Sequence, residues 1–242
     1  MMVRIWKPNE SKYKYRLKVI PLEEAINIVE QIPERFTKER DQALIAFTMI
    51  FGKRAVENLM IKKEDVWIDN DMLYVRFKVL KKRRKRKVCE ACSKRVPLKA
   101  KLCPYCGGDK FRVEEIGEKF TERVKHKSLN HPLMKYFMNW WRKVPDEAYV
   151  FPALNKSLVL MGVYEYNWEK PMTYSRMWQI FHEVSGMSPH VARHSLFTKL
   201  AESGEYDIFH LIYWFDVTVK TAERYIRIGG GKKVREVAKF IG

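Results

Sequence analysis

The chain has 242 residues, 46% of them hydrophobic, and its 47 lysines and arginines outnumber 29 acidic residues, giving a formal net charge of +18. This apolar content suffices for a packed core and excludes a mainly disordered chain. The positive charge favours a polyanionic partner. No apolar run of membrane-spanning length and no apolar signal core occur, so we expect a cytoplasmic, nucleoid-associated protein without membrane contact. Abundant lysine and glutamate with few glutamines are typical of thermophilic, including archaeal, proteins.

The N-terminal part of the chain predicts a basic arm followed by helices. Residues 1–20 are basic and aromatic without a clear period, and we expect an arm or a strand there. Helices are predicted over residues 21–31 and 37–51, and the second is almost wholly apolar, which indicates burial at the centre of the fold. Because this helix ends at Gly52, Arg54 is expected to emerge beside a buried helix end.

A hairpin and a run of cations follow. Residues 65–80 predict two strands, because Asn70 and Asp71 form a turn between two segments with strand character. Seven consecutive cations are usually a solvated strand or loop. Beside the four-cysteine segment that follows them, they would instead form a surface that follows a phosphate backbone. The cations of this run that we expect to contact DNA are Lys82, Arg83, Arg84, Lys85, Arg86 and Lys87.

All four cysteines lie in one short segment with the pattern C-x2-C-x10-C-x2-C. Two such pairs can present four thiolates and complete a closed tetrahedral zinc site that has no open position for a substrate. Disulfides are the alternative, because some intracellular thermophile proteins contain them. The predicted ligands of a structural zinc ion are Cys89, Cys92, Cys103 and Cys106.

The C-terminal half predicts mainly helices. Extended structure is expected over residues 110–127, so that the cysteine module would be inserted at the tip of a long hairpin. Residues 144–171 contain several prolines and glycines and are predicted to be loop-rich. Helices are predicted over residues 132–143, 172–184, 189–204 and 206–214, with a further helix around Tyr225, a glycine hinge at 229–231 and a short basic tail.

One of these helices carries side chains suited to a phosphodiester. Pro189 is typical of a helix start, so His190 and Arg193 would share one helical face and offer one phosphate two donors. A guanidinium binds two oxygens as a fork, and an imidazole can donate a hydrogen bond or move a proton. Tyr225 would supply a nucleophile. Taken alone, such a pair is more often a surface feature, so its context is what gives it weight.

The context is a family likeness. Residues 188–204, SPHVARHSLFTKLAESG, resemble the H-x-x-R-H-[ST] helix of the tyrosine recombinases, the phage-integrase family, and residues 51–59, FGKRAVENL, are similar to that family's T-G-x-R-x-x-E-L motif. Tyr225 lies at the family nucleophile's distance from Arg193. The likeness covers roughly residues 21–228 outside the cysteine module. It implies an α+β fold, mainly helical, with a small antiparallel sheet and an inserted zinc ribbon.

The resemblance also implies a reaction. In this family a tyrosine, here Tyr225, attacks a DNA phosphodiester to form a 3'-phosphotyrosyl link, which a 5'-hydroxyl of another strand resolves without a cofactor. Arg54 and Arg193 would bind the non-bridging oxygens, where the transition state gains negative charge. His190 would assist proton movement. A hairpin lysine acts as general acid toward the leaving oxygen, and the candidates are Lys81 first and Lys78 second.

Two departures from the family pattern stand out. Where the family usually has His or Trp shortly before its tyrosine, this chain has Asp216, which cannot donate a hydrogen bond when ionised and would repel a phosphate. Activity would then be reduced or lost, or Trp214 would take the place of that residue. The family also usually has a DNA-clamping domain before the catalytic domain, and we expect either a truncated chain or a minimal form whose basic run and zinc module grip DNA.

The predicted organisation has four parts: an arm at 1–20, a catalytic domain at 21–228, a zinc-ribbon insertion at 86–113, and a tail at 229–242 that would pack against a neighbouring subunit. The predicted function is site-specific recombination or integration by a homotetramer on double-stranded DNA. A catalytically silent DNA-binding protein of integrase descent and a type IB topoisomerase-like enzyme are the alternatives.

Overall fold

The structure is a computed structural model, and it describes residues 19–80, 84–116, 120–223 and 225–226. Most of the predicted arm and the whole predicted tail lie outside these residues. Contacts divide the chain into two compact units, one formed by Met1–Phe77 with Val124–Gly242 and the other by Lys78–Arg123. The second unit contains the segment 86–113 that the sequence marks as an insertion.

The larger unit is mainly helical, and the mixed α+β class is confirmed. Beyond α8, residues 219–223 and 225–226 are also helical. The named helices are α1 (Leu22–Glu30), α2 (Lys38–Phe51), α3 (Ala55–Leu59), α4 (Met134–Trp141), α5 (Lys156–Leu160), α6 (Tyr174–Ser185), α7 (Pro189–Ser203) and α8 (Ile208–Phe215). Within the described residues, no helix has the length and apolar character needed to cross a membrane.

The described strands form three small sheets. The strands are β1 (Val66–Asp69), β2 (Met72–Leu80), β3 (Arg84–Cys89), β4 (Arg95–Val96), β5 (Phe111–Ile116), β6 (Phe120–Ser128), β7 (Pro152–Leu154) and β8 (Tyr166–Pro171). The first sheet has the order β1-β2-β6, the second β4-β3-β5, and the third pairs β7 with β8. The pairs β1–β2, β3–β4, β3–β5 and β7–β8 are antiparallel. The predicted hairpin is confirmed, with Asp69 opposite Met72 across a turn in which Asn70 has a positive φ of 50°.

Helix α2 forms the centre of the larger unit, as its apolar sequence predicts. The ring of Phe47 is fully buried and lies 4.6 Å from that of Phe51 and 4.8 Å from that of Phe137 on α4. Burying an aromatic side chain of this kind stabilises a fold by about 1.5–3 kcal/mol. This packing fixes the position of the C-terminal end of α2, from which the candidate site begins.

The segment 144–171 differs from its predicted loop-rich character, because it contains β7, α5 and β8. Strand β7 has three residues, begins at Pro152 and is irregular between Pro152 and Ala153. Such a short, proline-containing strand has too few residues to show an alternating pattern, which explains why the sequence did not reveal it. The ring of Trp168 on β8 stacks 5.8 Å from that of Trp140 on α4.

The smaller unit is a β-structure with very little core. Strands β3 and β5 pair from Arg84 opposite Ile116 to Cys89 opposite Phe111, so the extended structure predicted after the cysteines is confirmed. The buried cluster consists of Cys89, Val96 and Cys103, with Phe111 packed against it. So small an apolar cluster is a weak source of stability for an independent unit.

Gly52 joins α2 to the candidate site, and its conformation requires glycine. Its φ is +59°, and a Cβ atom there would lie 2.9 Å from both Leu196 Cδ2 on α7 and Phe215 Cε1 on α8. Gly186 has a similar φ of +62° at the end of α6, but no atom lies within 4 Å of its Cβ position. A comparison of substitutions at the two glycines therefore separates the energetic cost of the left-handed backbone from that of close packing.

We predict that Gly186→Ala lowers the free energy of unfolding by about 1–2 kcal/mol, the cost of a left-handed backbone. Gly52→Ala should cost about 2–5 kcal/mol, because overpacking adds about 1–3 kcal/mol to the same strain. Chemical denaturation of both variants measures the difference. Equal losses would contradict the tight approach of α7 and α8 to Gly52.

Candidate active site and metal centre

The candidate site begins where α2 gives way to α3. Arg54 precedes α3, and its backbone N–H donates to Glu57 Oε2 at 3.1 Å while its Nη1 donates to Glu57 Oε1 at 2.6 Å. The Glu57 side chain is fully buried and the Arg54 side chain is 38% exposed. The buried Glu57 carboxylate therefore fixes the position of Arg54, whose guanidinium remains partly exposed.

The C-terminal end of α8 lies against this junction and collects four cations. The last carbonyl groups of a helix have no acceptor role within it and carry the negative end of the helix dipole. Each of four consecutive carbonyls accepts a hydrogen bond from a cationic side chain. The pairs are Lys125 Nζ with Tyr213 O, Lys53 Nζ with Trp214 O at 2.6 Å, Arg193 Nη2 with Phe215 O at 2.6 Å, and Arg54 Nη2 with Asp216 O at 3.2 Å. We call this arrangement the α8 collar.

Arg193 is the more deeply buried of the two predicted arginines. It is 5% exposed, and its Nη1 donates to Gly52 O at 2.9 Å. Burial, together with the positive charge of Arg54, lowers the pKa of Arg193 to about 10. The guanidinium therefore stays protonated at neutral pH. The two predicted arginines come together because they bond to adjacent carbonyls, Arg54 to that of Asp216 and Arg193 to that of Phe215.

Asp216 forms an ion pair that the sequence did not predict. The residue ends α8 in the left-handed conformation, and its carboxylate accepts a hydrogen bond from Lys53 Nζ, whose side chain is fully buried. Burial lowers the pKa of Lys53, and the negative charge of Asp216 opposes that shift. The repulsion expected between Asp216 and a phosphate is thus offset by a neighbouring ammonium group.

Trp214, the suggested replacement for the family's His or Trp, is also engaged. Its indole Nε1 donates to Phe51 O at 3.1 Å, and the ammonium of Lys127 lies 4.6 Å from the centre of its ring. Burial and the charge of Lys199 lower the pKa of Lys127. The indole is therefore hydrogen-bonded to the C-terminal end of α2.

Tyr225 lies beneath α7. It is 8% exposed, and its ring centre is 4.0 Å from that of Phe197. Its hydroxyl makes a hydrogen bond with Nδ1 of His194, and the two rings are stacked at 5.7 Å with an interplanar angle of 19°. His190 is exposed, and its ring meets that of His194 edge-on at 4.4 Å. The phenol thus contacts the residue that follows Arg193 on α7.

Comparison with solved structures finds the same fold in DNA recombinases. XerH site-specific recombinase, in a pre-cleavage complex with its difH substrate, is 16% identical, with 84% of this chain and 47% of that chain covered and a TM-score of 0.50. XerA recombinase is 15% identical, with coverages of 93% and 62% and a TM-score of 0.50. The Tn1549 transposon integrase in complex with transposon right end DNA is 12% identical, with coverages of 91% and 66% and a TM-score of 0.50.

The chain has the fold of the tyrosine recombinases. The resemblance drawn from the sequence motifs is confirmed at this level. Identities this low show the fold alone, and the chain spans about half the length of the XerH chains that it matches. No family model and no curated protein matches the sequence.

The structure places the other predicted site residues as follows. Lys78 is half-buried on β2, whereas Lys81, Lys82 and Arg83 lie outside the described residues. Of the cationic run on β3, Lys85 is exposed, Arg86 Nε donates to Glu114 Oε2 at 2.5 Å, and Lys87 Nζ donates to Ala100 O at 2.5 Å. Arg84 begins β3. Lys85 and Arg86 are thus both exposed, and Arg86 is also engaged with Glu114.

The four cysteines come together in the smaller unit. Their sulfur atoms all lie within 4.8 Å of one another, and the thiols are free. The Sγ atoms of Cys89 and Cys106 are 3.5 Å apart, as are those of Cys92 and Cys103. A disulfide requires about 2.05 Å, so the described geometry is that of four separate thiols around one point. This cluster could bind a metal ion.

Three residues of the site were missed by the sequence reasoning. Lys53 and Lys125 are buried lysines, and His194 was quoted within a motif but given no role. Lys53 follows the apolar run of α2, and a lysine in such a place signals a buried partner, since uncompensated burial of an ammonium is costly. Lys125 lies in a charged segment and gives no such signal. The identity of that partner, a helix end far along the chain, has no signal in one sequence.

We predict that Lys53→Met lowers the free energy of unfolding by about 3–5 kcal/mol, because it leaves a partly buried carboxylate unpaired. In Asp216→Asn the left-handed backbone is retained, since asparagine tolerates it. The loss in the free energy of unfolding of the double variant should be smaller than the sum of the two single losses by about 1–3 kcal/mol.

The control is the exposed pair Lys143 and Glu39, whose Nζ and Oε2 atoms are 2.5 Å apart. Lys143→Met and Glu39→Gln should couple weakly or not at all. Additive losses for Lys53 and Asp216 in chemical denaturation would contradict the ion pair.

Proposed function

We propose that this chain is a site-specific DNA recombinase or integrase that cleaves and rejoins DNA through a 3'-phosphotyrosyl intermediate. The observation that carries the proposal is the α8 collar, in which Arg54 and Arg193 bond to adjacent carbonyls, while Tyr225 bonds to His194, the residue that follows Arg193 on α7. Two guanidiniums and a phenol are the groups that a phosphodiester exchange requires.

The arginines keep capacity for a phosphate although each bonds to α8. A guanidinium carries five N–H donors, and each arginine uses two in its side-chain bonds described above, so donors remain for the non-bridging oxygens. The transition state of the exchange gains negative charge on those oxygens, and donors already held in position stabilise it without reorganisation. We assign Arg54 and Arg193 to this role.

The remaining roles follow the family likeness. Tyr225 is assigned as the nucleophile, and the exposed His190 as a donor to the phosphate that also assists proton movement. Lys78 or Lys81 is the proposed general acid for the leaving 5'-oxygen. The proposed exchange needs no external energy source, because the bond to Tyr225 conserves that of the phosphodiester.

Double-stranded DNA is the proposed partner. The solved XerH and Tn1549 integrase structures contain DNA, and the net charge of +18 suits a polyanion. We propose that a homotetramer acts on two duplexes, and that the cations at residues 82–87 contribute phosphate contacts. The tail at 229–242 is proposed to pack against a neighbouring subunit.

We propose that the cysteine cluster holds a structural zinc ion. Four thiolates at about 2.3 Å from a central zinc ion lie about 3.8 Å from one another, close to the 3.5 Å between the Sγ atoms of the two pairs described above. All four ligand positions would be filled by protein, so the ion would stabilise the smaller unit and take no part in the chemistry. The buried apolar cluster of the smaller unit is small, which supports the proposal that a metal ion stabilises this unit.

Metal analysis of the reduced protein should find about one equivalent of zinc per chain. Chelation should increase hydrogen exchange in residues 84–116 while α2 stays protected, because only the smaller unit depends on the ion. Cys92→Ser should reproduce the effect without chelator. A metal-free protein with unchanged protection in 84–116 would contradict a structural ion.

Covalent capture on DNA tests the proposed reaction. The substrate is a pool of nicked duplexes with a randomised central segment, so that the adducted fraction also supplies the target site. We expect a protein–DNA adduct that survives denaturing electrophoresis, and none with Tyr225→Phe. Arg193→Ala should slow adduct formation by about 100-fold or more, as loss of one preorganised transition-state donor does elsewhere.

The outcomes separate the candidate functions. DNA binding without any adduct would contradict the recombinase and select a silent DNA-binding protein. An adduct that persists in Tyr225→Phe would refute the assigned nucleophile. Relaxation of supercoiled DNA by the monomer, without strand exchange between duplexes, would favour a topoisomerase-like enzyme.

A further inference from the structure

The hydroxyl of Tyr225 has a specific partner, and it is not the histidine of the proposed phosphate site. His194 Nδ1 forms a hydrogen bond with Tyr225 Oη, and the two rings lie stacked at 5.7 Å. His190, one turn earlier on α7, is exposed and meets His194 edge-on at 4.4 Å. The two histidines therefore face different groups, one the surface and the other the phenol.

The nucleophile needs a base at this position. A neutral phenol is a poor nucleophile, because its pKa of about 10 leaves few molecules ionised at pH 7. An imidazole within hydrogen-bond reach is the side chain best suited to take a proton near neutral pH. In its neutral form with the hydrogen on Nε2, the ring presents a lone pair at Nδ1, which is the atom that contacts Tyr225.

We propose that His194 is a catalytic residue that accepts the proton of Tyr225 during attack on DNA. This inference rests on the proposed recombinase function and adds a group to its chemistry. The Tyr225 O–H bond breaks and its proton moves to His194 Nδ1, while Oη forms a bond to phosphorus. The bond from phosphorus to the 5'-oxygen breaks, and that oxygen takes a proton from the lysine general acid.

The same pair serves the second half of the reaction. When a 5'-hydroxyl attacks the phosphotyrosine, its own proton returns to the lysine and the bond from phosphorus to Tyr225 Oη breaks. The imidazolium of His194 then gives its proton back to the phenolate. The cycle leaves both residues as they began, so neither a cofactor nor a further reactant is needed.

The packing around the pair explains how it is held. His194 is half-buried on α7, and Tyr225 is enclosed by Phe197, which is 2% exposed, and by the fully buried Phe215 and Ala222. A partly enclosed hydrogen bond is less open to competition from water, so the proton has a defined acceptor. Arg193, one residue before His194 on α7, holds the helix to Gly52 and Phe215.

The test measures single-turnover adduct formation by the full chain on the duplex that wild-type protein selects from the randomised pool. His194→Asn keeps an oxygen near the position of Nδ1 but cannot take up a proton, and His194→Phe keeps the stacked ring. We expect both to slow adduct formation by about 100-fold or more, as loss of a general base does. DNA affinity, measured in the Tyr225→Phe background, should change by less than about twofold, because His194 contacts the nucleophile instead of DNA.

The matched control is His182→Asn. His182 is another helical histidine stacked on an aromatic ring, 4.7 Å from Trp178, and it should leave the rate unchanged. A fluorinated tyrosine placed at position 225, whose hydroxyl ionises near neutral pH, provides a second readout. It should reduce the effect of His194→Asn to below about tenfold, because an ionised nucleophile needs no base.

Adduct formation by His194→Asn at a rate within about threefold of wild type would overturn the inference and leave the recombinase function standing. A loss that is equally large with the fluorinated tyrosine would also overturn it, since His194 would then only position the ring. The absence of any wild-type adduct would instead overturn the proposed function itself, and this inference with it.

Discussion

The negative end of α8 is the feature on which the rest of the site depends. A helix end leaves its last carbonyls without partners, and inside a protein each must be satisfied. Here four consecutive carbonyls, from Tyr213 to Asp216, accept bonds from side chains of the α2–α3 junction, of α7 and of β6. One elementary requirement of helix geometry therefore gathers groups that lie far apart in sequence. The same bonds hold the cations against each other, although like charges repel.

This arrangement also gives a physical meaning to the departure at Asp216. A carboxylate in this place would weaken an anion site if it stood alone, but the structure pairs it with the buried ammonium of Lys53. The pair adds no net charge, and Asp216 at the same time supplies a backbone carbonyl to Arg54. The acidic side chain thus belongs to the support of the site. Asp216 therefore has a structural role at a position where the family usually has a hydrogen-bond donor.

Much of the fold could be read from the sequence, but the site only in part. The apolar run of α2, the turn at Asn70 and the proline that begins α7 indicated their elements correctly, because each depends on local chemistry. Strand β7 was missed since its three residues carry no periodicity. The motifs located Arg54 and Arg193. The contacts of Lys53 with α8, and of His194 with Tyr225, are set by tertiary packing and have no signature in a single chain.

The central claim is that Arg54 and Arg193 stay bonded to α8 while they bind one scissile phosphate. A crystal structure of the Tyr225→Phe variant with the selected duplex measures this directly. The account predicts both guanidiniums within hydrogen-bond distance of the same phosphate, with the bonds to the carbonyls of Phe215 and Asp216 retained. Arginines that contact different phosphates, or that leave the end of α8 on binding DNA, would contradict it.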